Sequence, residues 1–316
     1  MRKLIAMIIV GLSTSGPALP WHETGHKASA AIAFDQLSTG RQQETAAVLR
    51  AHPRFEADFQ SRMPAEILHG SAYEQGRWLF EQASIWPDLI QTLDDQVRSE
   101  YHRSRWHYIN LPVWMTEDDV AALRGKLDHN MATTFEQPLR QNLNIVQALR
   151  GNLLVWRDDS SSDAEKAVAL CWILHLVADL HQPLHTVALF SAAWFPTGDR
   201  GGNNIAVRSG EDTRNLHAVW DGLPTDIDTL EPTACTARSV KEDIVNDAEI
   251  DDWLRHHAWL AEKFVYPDDV RDQLLSGLQK NKSPAIVLSR DYLIAARTIA
   301  RRQVNLAGHR TAALID

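Results

Sequence analysis

The sequence predicts an all-α fold, a single mainly helical domain. Three observations carry that prediction. Apolar residues recur at three- and four-residue steps over long stretches. Runs of strand-like alternation are few and short. No internal repeat, low-complexity tract or composition break divides the chain. At 316 residues, 44% hydrophobic and 23% charged, the chain has the composition of a folded globular protein.

The elements follow in order. Residues 1–20 read as an export signal: Arg2 and Lys3 are basic, Leu4 to Leu12 form a short apolar run, and Ser13 to Pro20 are small or turn-forming. That run is too short to span a bilayer, and no later stretch is long and apolar enough. The mature protein is therefore expected at 21–316, secreted or periplasmic, with no membrane association. Residues 26–50 have helical periodicity, as do 135–156 through Leu139, Leu143, Ile145, Leu149 and Leu153. A third helix is expected over 163–181, with Ser162 and Asp163 as its cap. Residues 236–264 and 283–307 complete the set, the last ended by Gly308 as a C-cap. Between them, Pro196, Gly198, Gly201, Gly202, Asn203 and Asn204 make 192–212 a loop or small hairpin.

The formal net charge is −9, and removing Arg2 and Lys3 with the signal leaves −11. Such a balance is at odds with nucleic-acid binding through a broad basic surface. A phosphate-bearing substrate would need positive charge from elsewhere, and bound divalent metal supplies it. The chain has 14 histidines but two cysteines, Cys171 and Cys235, and no Cys-x-x-Cys. Metal ligands would therefore be imidazole and carboxylate, and the cysteines could form at most one disulfide.

Residues 175–185, HLVADLHQPLH, are the most informative segment. His175 and Asp179 are four apart and share a helix face. Pro183 breaks the helix and His185 lies just beyond. Imidazole with carboxylate at this spacing suits zinc. NLHAVWD repeats the spacing with His217 and Asp221, while His107, Asp88 and His26 lie upstream in WHYINLP, SIWPDLI and WHETGH. One histidine on a helix is more often a surface or core residue; two His-x-x-x-Asp pairs around a broken helix are harder to ascribe to chance. His181, off the ligand face, is expected to support a ligand from behind. His52, His69, His102, His129, His256, His257 and His309 are assigned to the surface or to supporting positions, without a metal role.

WHETGH, SIWPDLI, WHYINLP, HLVADLHQPLH, DRGGNN, NLHAVWD and AGHRTAAL occur in the order seen in the zinc-dependent single-strand nuclease and 3′-nucleotidase family, the type I nucleases of S-one/P-one type. The chain resembles that family from Trp21 to about Leu314. The resemblance implies a phospholipase C/nuclease-like fold with a trinuclear zinc site. Asp88, His107, His175 and Asp179 would hold one zinc. Trp21, through its α-amino nitrogen and carbonyl oxygen, and His26 would share Asp179 on a second. His185, His217 and Asp221 would hold the third. Close zinc ions lower the pKa of a shared water, and Asp88 would orient it for in-line attack on phosphorus, leaving 5′-phosphate products. Tyr108 would stack on a base, Asn110 would read the base edge, and Asn203 would hydrogen-bond a phosphate, support a ligand or serve the turn. The implied substrates are single-stranded DNA and RNA and 3′-nucleotides, with no protein partner implied. Gln91 stands where the family often carries Arg or Lys. Signal cleavage after Ala18 fits the small-x-small pattern, whereas cleavage after Pro20 would free the amine of Trp21. Alternative readings are a zinc-dependent phospholipase C, disfavoured by Asp221 in place of Glu, and a non-catalytic periplasmic zinc-binding protein.

Overall fold

The computed structural model describes residues 23–136, 138–209, 212–224, 250–279 and 285–316. Its first half contains helices α1 (Glu23–Gln36), α2 (Thr39–Arg50), α3 (Ala65–Leu68), α4 (Ala72–Leu89), α5 (Asp95–Tyr101) and α6 (Glu117–Leu123), followed by α7 (Ile145–Arg157) and α8 (Asp163–Leu180). Beyond these come α9 (Pro183–Thr186), α10 (Leu216–Asp221), α11 (Ile250–Leu260), α12 (Asp268–Gln279) and α13 (Arg290–Ile315). Strands β1 (Leu111–Trp114) and β2 (Val187–Phe190) pair in parallel, Leu111 opposite Val187. Strand β3 (Ala206–Ser209) pairs antiparallel with β4 (Asp212–Asn215) and parallel with β5 (Ala285–Ile286). The fold is all-α in class, as predicted.

Helix α8 is the axis of the molecule. Every residue from Ala169 to Leu180 is buried, because α8 packs against α1, α2, α4, α7 and α13 together. A helix apolar all round belongs in such a position. Trp172 and Leu176 join a core with Phe34, Phe80 and Trp86. Ala178, two residues on, joins a second core with Leu189, Trp220, Tyr266 and Val304. The C-terminal end of α8 therefore lies where two cores meet.

Local chemistry sets the boundaries. Ser162 caps the start of α8, as expected, and closes a reciprocal capping box with Glu165. The helical run 26–50 is two helices, because Ser38 turns the chain and accepts from the Arg41 N–H. Helicity expected from residue 135 starts only at Ile145, where Asn144 and Gln147 form another capping box. Of the segment 236–264, residues 236–249 lie outside the described residues; α11 begins at Ile250 and ends in a π-turn over Ala261–Val265. The last helix runs from Arg290 to Ile315. Gly308 is thus not a C-cap. It lies inside α13, where a Cβ would come within 2.6 Å of Ile32 Cβ and 2.8 Å of the Ser29 carbonyl, so it allows α13 to lie close on α1. Within the 192–212 segment, the loop leads into β3, whose antiparallel partner β4 starts at Asp212. Cys171 is buried and free, while Cys235 lies outside the described residues. No helix among the described residues is long and apolar enough to cross a membrane.

Candidate metal centre

Six segments deliver the site. Asp88 sits at the end of α4 and His26 on the first turn of α1. His107 ends a 3-10 turn, Ser104–His107, just ahead of β1. His175 and Asp179 project from one face of α8, and His185 from α9. His217 and Asp221 share a face of α10, whose cap is Asn215. The parallel β1–β2 ladder is prolonged by Ile109 N–H donating to the His185 carbonyl, which locks His107 beside His185.

Asp179 is the hub. Its Oδ2 lies 3.1 Å from both His107 Nδ1 and His175 Nε2 and 3.7 Å from His185 Nδ1. Its Oδ1 lies 3.3 Å from His26 Nε2. Asp88 Oδ1 is 3.8 Å from His175 Nε2, and the His26 and His175 rings stack at 4.2 Å. His217 Nε2 faces Asp221 Oδ2 at 3.4 Å. Three groups result, each with ligand atoms within 4.8 Å of one another: His26, His175 and Asp179; Asp88, His107 and His175; and His185, His217 and Asp221.

The residues fit a metal on two grounds. Tetrahedral ligands about 2.0–2.1 Å from zinc stand roughly 3.3 Å apart, which is the spacing found here. Moreover, His26 Nδ1 and Nε2, His107 Nε2, Asp179 Oδ1, His185 Nε2 and Asp221 Oδ2 are buried without a hydrogen-bond partner. Buried polar atoms are costly to leave unpaired, and a cation satisfies them. Backbone carbonyls set the tautomers. The Nδ1–H of His175 donates to Ser84 O at 2.8 Å, that of His185 to His107 O at 2.6 Å, and that of His217 to Gly201 O at 2.7 Å. Each bond turns the Nε2 lone pair toward the site, as metal-ligating histidines require.

Burial and charge compete at these groups. Burial pushes the His185 imidazole down to about 3 and lowers His26, keeping both in the neutral form that ligates. Burial also opposes protonation of His175, but the Asp179 and Asp88 carboxylates outweigh it and raise it to about 9. Burial would raise Asp179 too, yet His175 and His185 hold it well below the usual carboxylate range. Asp221 is pushed up to about 7 by burial.

Trp21 lies outside the described residues. Tyr108, next to His107, is 39% exposed and available to a planar ligand. Asn110 is half-buried, its carbonyl accepting from His129 Nε2. Asn203 uses its amide on Arg200 O and accepts from Asn215, so it braces the cap of α10. His181 does not support a ligand as expected: its Nδ1 bonds Val177 O and its Nε2 pairs with Arg310, on the far side of α8. His52 and His257 are core residues rather than surface ones, packed on Trp86 and bonded to Gln303 respectively. Gln91 donates to Asp88 Oδ1 at 2.9 Å, and Gln182 to Asp221 Oδ1 at 2.8 Å. Gln182 was missed from the sequence although it sits inside HLVADLHQPLH. Asp199 was also missed. It is fully buried and receives the Leu189 and Gly202 N–H groups and the Tyr266 hydroxyl, so it organises the glycine loop.

Comparison with known proteins now decides the family. The sequence profile of the family described as S1/P1 Nuclease matches residues 21–316. This chain belongs to the S1/P1 nuclease family. It is 27% identical over 155 residues to Endonuclease 5 of Arabidopsis thaliana, covering 47% of this chain and 50% of that protein. It is 22% identical over 230 residues to Endonuclease 1 of the same plant, covering 70% and 59%. Against Nuclease S1 of Aspergillus oryzae it is 36% identical over 63 residues, covering 20% and 19%. The chain spans about half the length of the first curated relatives it matches.

Proposed function

We propose that this chain is a secreted or periplasmic zinc-dependent endonuclease that hydrolyses single-stranded DNA and RNA to 5′-phosphate products, with 3′-nucleotidase activity. The observation that carries the reading is the convergence of three His/Asp clusters around Asp179, with buried donor atoms unsatisfied by protein, in a chain of the S1/P1 family. The relatives' names, endonuclease and nuclease, support a polynucleotide substrate.

Zinc held by these clusters, the second of which the family resemblance completes with Trp21, would supply Lewis acidity and a local positive field for the phosphate. The chain's own residues do the rest. Asp88, at the rim, accepts the proton side of the attacking water, and Gln91 sets the plane of its carboxylate. Asp179 and the carbonyl-anchored histidines fix the donor atoms, so little reorganisation accompanies attack. Tyr108 offers a face on which an unpaired base can stack, which favours single strands.

The test is zinc content and N-terminal sequence of the purified protein, followed by product-end analysis on single- and double-stranded DNA. Three zincs per chain and 5′-phosphate ends from single strands support the reading. A fully metallated protein that leaves single strands intact and hydrolyses phosphatidylcholine would replace it with the phospholipase reading.

A further inference from the structure

Arg98, Arg103 and Arg105 line a cleft of about 530 Å³ with His102, Gln141 and Asn142. Three arginines in one cleft stand out in a chain of net charge −9. Asp95 is the acid in its wall, and it pairs with Arg98. Arg103 is anchored: its guanidinium donates to the His102 carbonyl, bonds Glu100 O and lies 5.7 Å over the Trp106 ring. Arg105 is exposed on the same 3-10 turn that delivers His107. The chain itself ties the cleft to the metal centre: Ser104 and Arg105 in its wall belong to the 3-10 turn that ends on His107. A second cavity of about 440 Å³ shares Arg103 and is walled by Tyr101, Trp106 and Trp172. Glu100 and Glu165 also border it, so it suits a base with amino groups better than a phosphate.

We infer that the cleft of Arg98, Arg103 and Arg105 is a second phosphate-binding subsite, which holds the backbone of a polynucleotide strand whose reacting phosphate lies at the metal centre. Guanidinium groups match phosphate geometry, and the aromatic cavity beyond Arg103 gives the neighbouring base apolar walls. The inference rests on the nuclease reading and adds to it a preference for long strands over short ones.

The test is the double variant Arg98→Ala/Arg105→Ala, since both side chains are exposed. Activity is measured on dT12 and on the dinucleotide dTpdT with metal-replete protein. The ratio of kcat/KM for dT12 to that for dTpdT is expected to fall about tenfold. The slope of log binding against log salt should lose about 1.4, at about 0.7 per phosphate on a single strand. An unchanged ratio and slope overturn the inference, and so does an equal loss on both substrates. If the wild type cleaves neither substrate, the nuclease reading fails by itself. Anisotropy of fluorescein-labelled dT12 with the metal-replete proteins then reports the cleft separately: arginine-dependent binding upholds it, and equal binding by both proteins sinks it.

Discussion

His217 and Gly201 are joined by a 2.7 Å bond from the imidazole Nδ1–H to the glycine carbonyl. The same glycine backs onto the carbonyl of Leu184, the residue before His185: a Cβ built on it would lie 2.2 Å from that oxygen. Gly201 also has φ +59°, a conformation that L side chains rarely adopt. One glycine therefore sets the spacing between two ligands of the third cluster, whose rings stand 4.9 Å apart.

Replacing Gly201 by Ala should force the loop away from Leu184. The left-handed backbone costs about 1–2 kcal/mol, and the clash adds to it. The expected outcome is a lower metal content per chain than the unsubstituted protein by elemental analysis, with a lower Tm. Unchanged metal content and Tm would show that the loop has room to yield.

Asp88→Asn keeps the shape of the side chain and an acceptor for Gln91 while removing its charge. Turnover should fall by about 10²–10⁴ while most of the zinc stays, because His107, His175 and Asp179 remain. Steady-state kcat and metal content on the same preparation check this. Unchanged turnover counts against Asp88 as the water-orienting group.

Chelation should destabilise the fold. Metal removal leaves the donor atoms of His26, Asp179, His185 and Asp221 buried without partners. A ligand at about 1,000 times its Kd stabilises by about 4.1 kcal/mol. A clear drop in Tm after chelator dialysis, reversed by added zinc, is expected. No drop would mean that the clusters do not hold structural metal.

Stability should also fall with acid at a site away from the metal. His52 is 3% exposed, and burial lowers it from 6.5 to about 4. The unfolded chain therefore takes up the proton first as pH falls. The stabilisation is full above pH 6.5 and is lost between about 6.5 and 4, roughly 3 kcal/mol in total. Urea midpoints across that window should drop less in His52→Asn, whose amide oxygen can still accept from Arg54 N–H as Nδ1 does at 3.0 Å. Parallel curves would remove His52 as a cause.

Two pairs of the centre were legible in the spacing, because four residues on a helix put His175 with Asp179 and His217 with Asp221; the grouping of His26, Asp88, His107 and His185 with them came from the family resemblance. What orients them was not. Ser84, His107 and Gly201 act through carbonyls, which every residue type carries. The failures over helix extent have similar origins. Ser38 and Asn144 interrupt continuous periodicity by capping chemistry, and Gly308 looks like a stop signal until the close approach of Ile32 explains it. His52 and His257 resemble other polar letters, yet the core surrounds them.

The pairing of β1 with β2 joins residues 111–114 to 187–190 and fixes His107 against His185. Such non-local parallel pairing pays its loop-closure entropy before it gains any contact. The chain must therefore complete its long-range topology before these imidazoles meet. A metal that needs both imidazoles is therefore expected to close a finished fold, not to nucleate it.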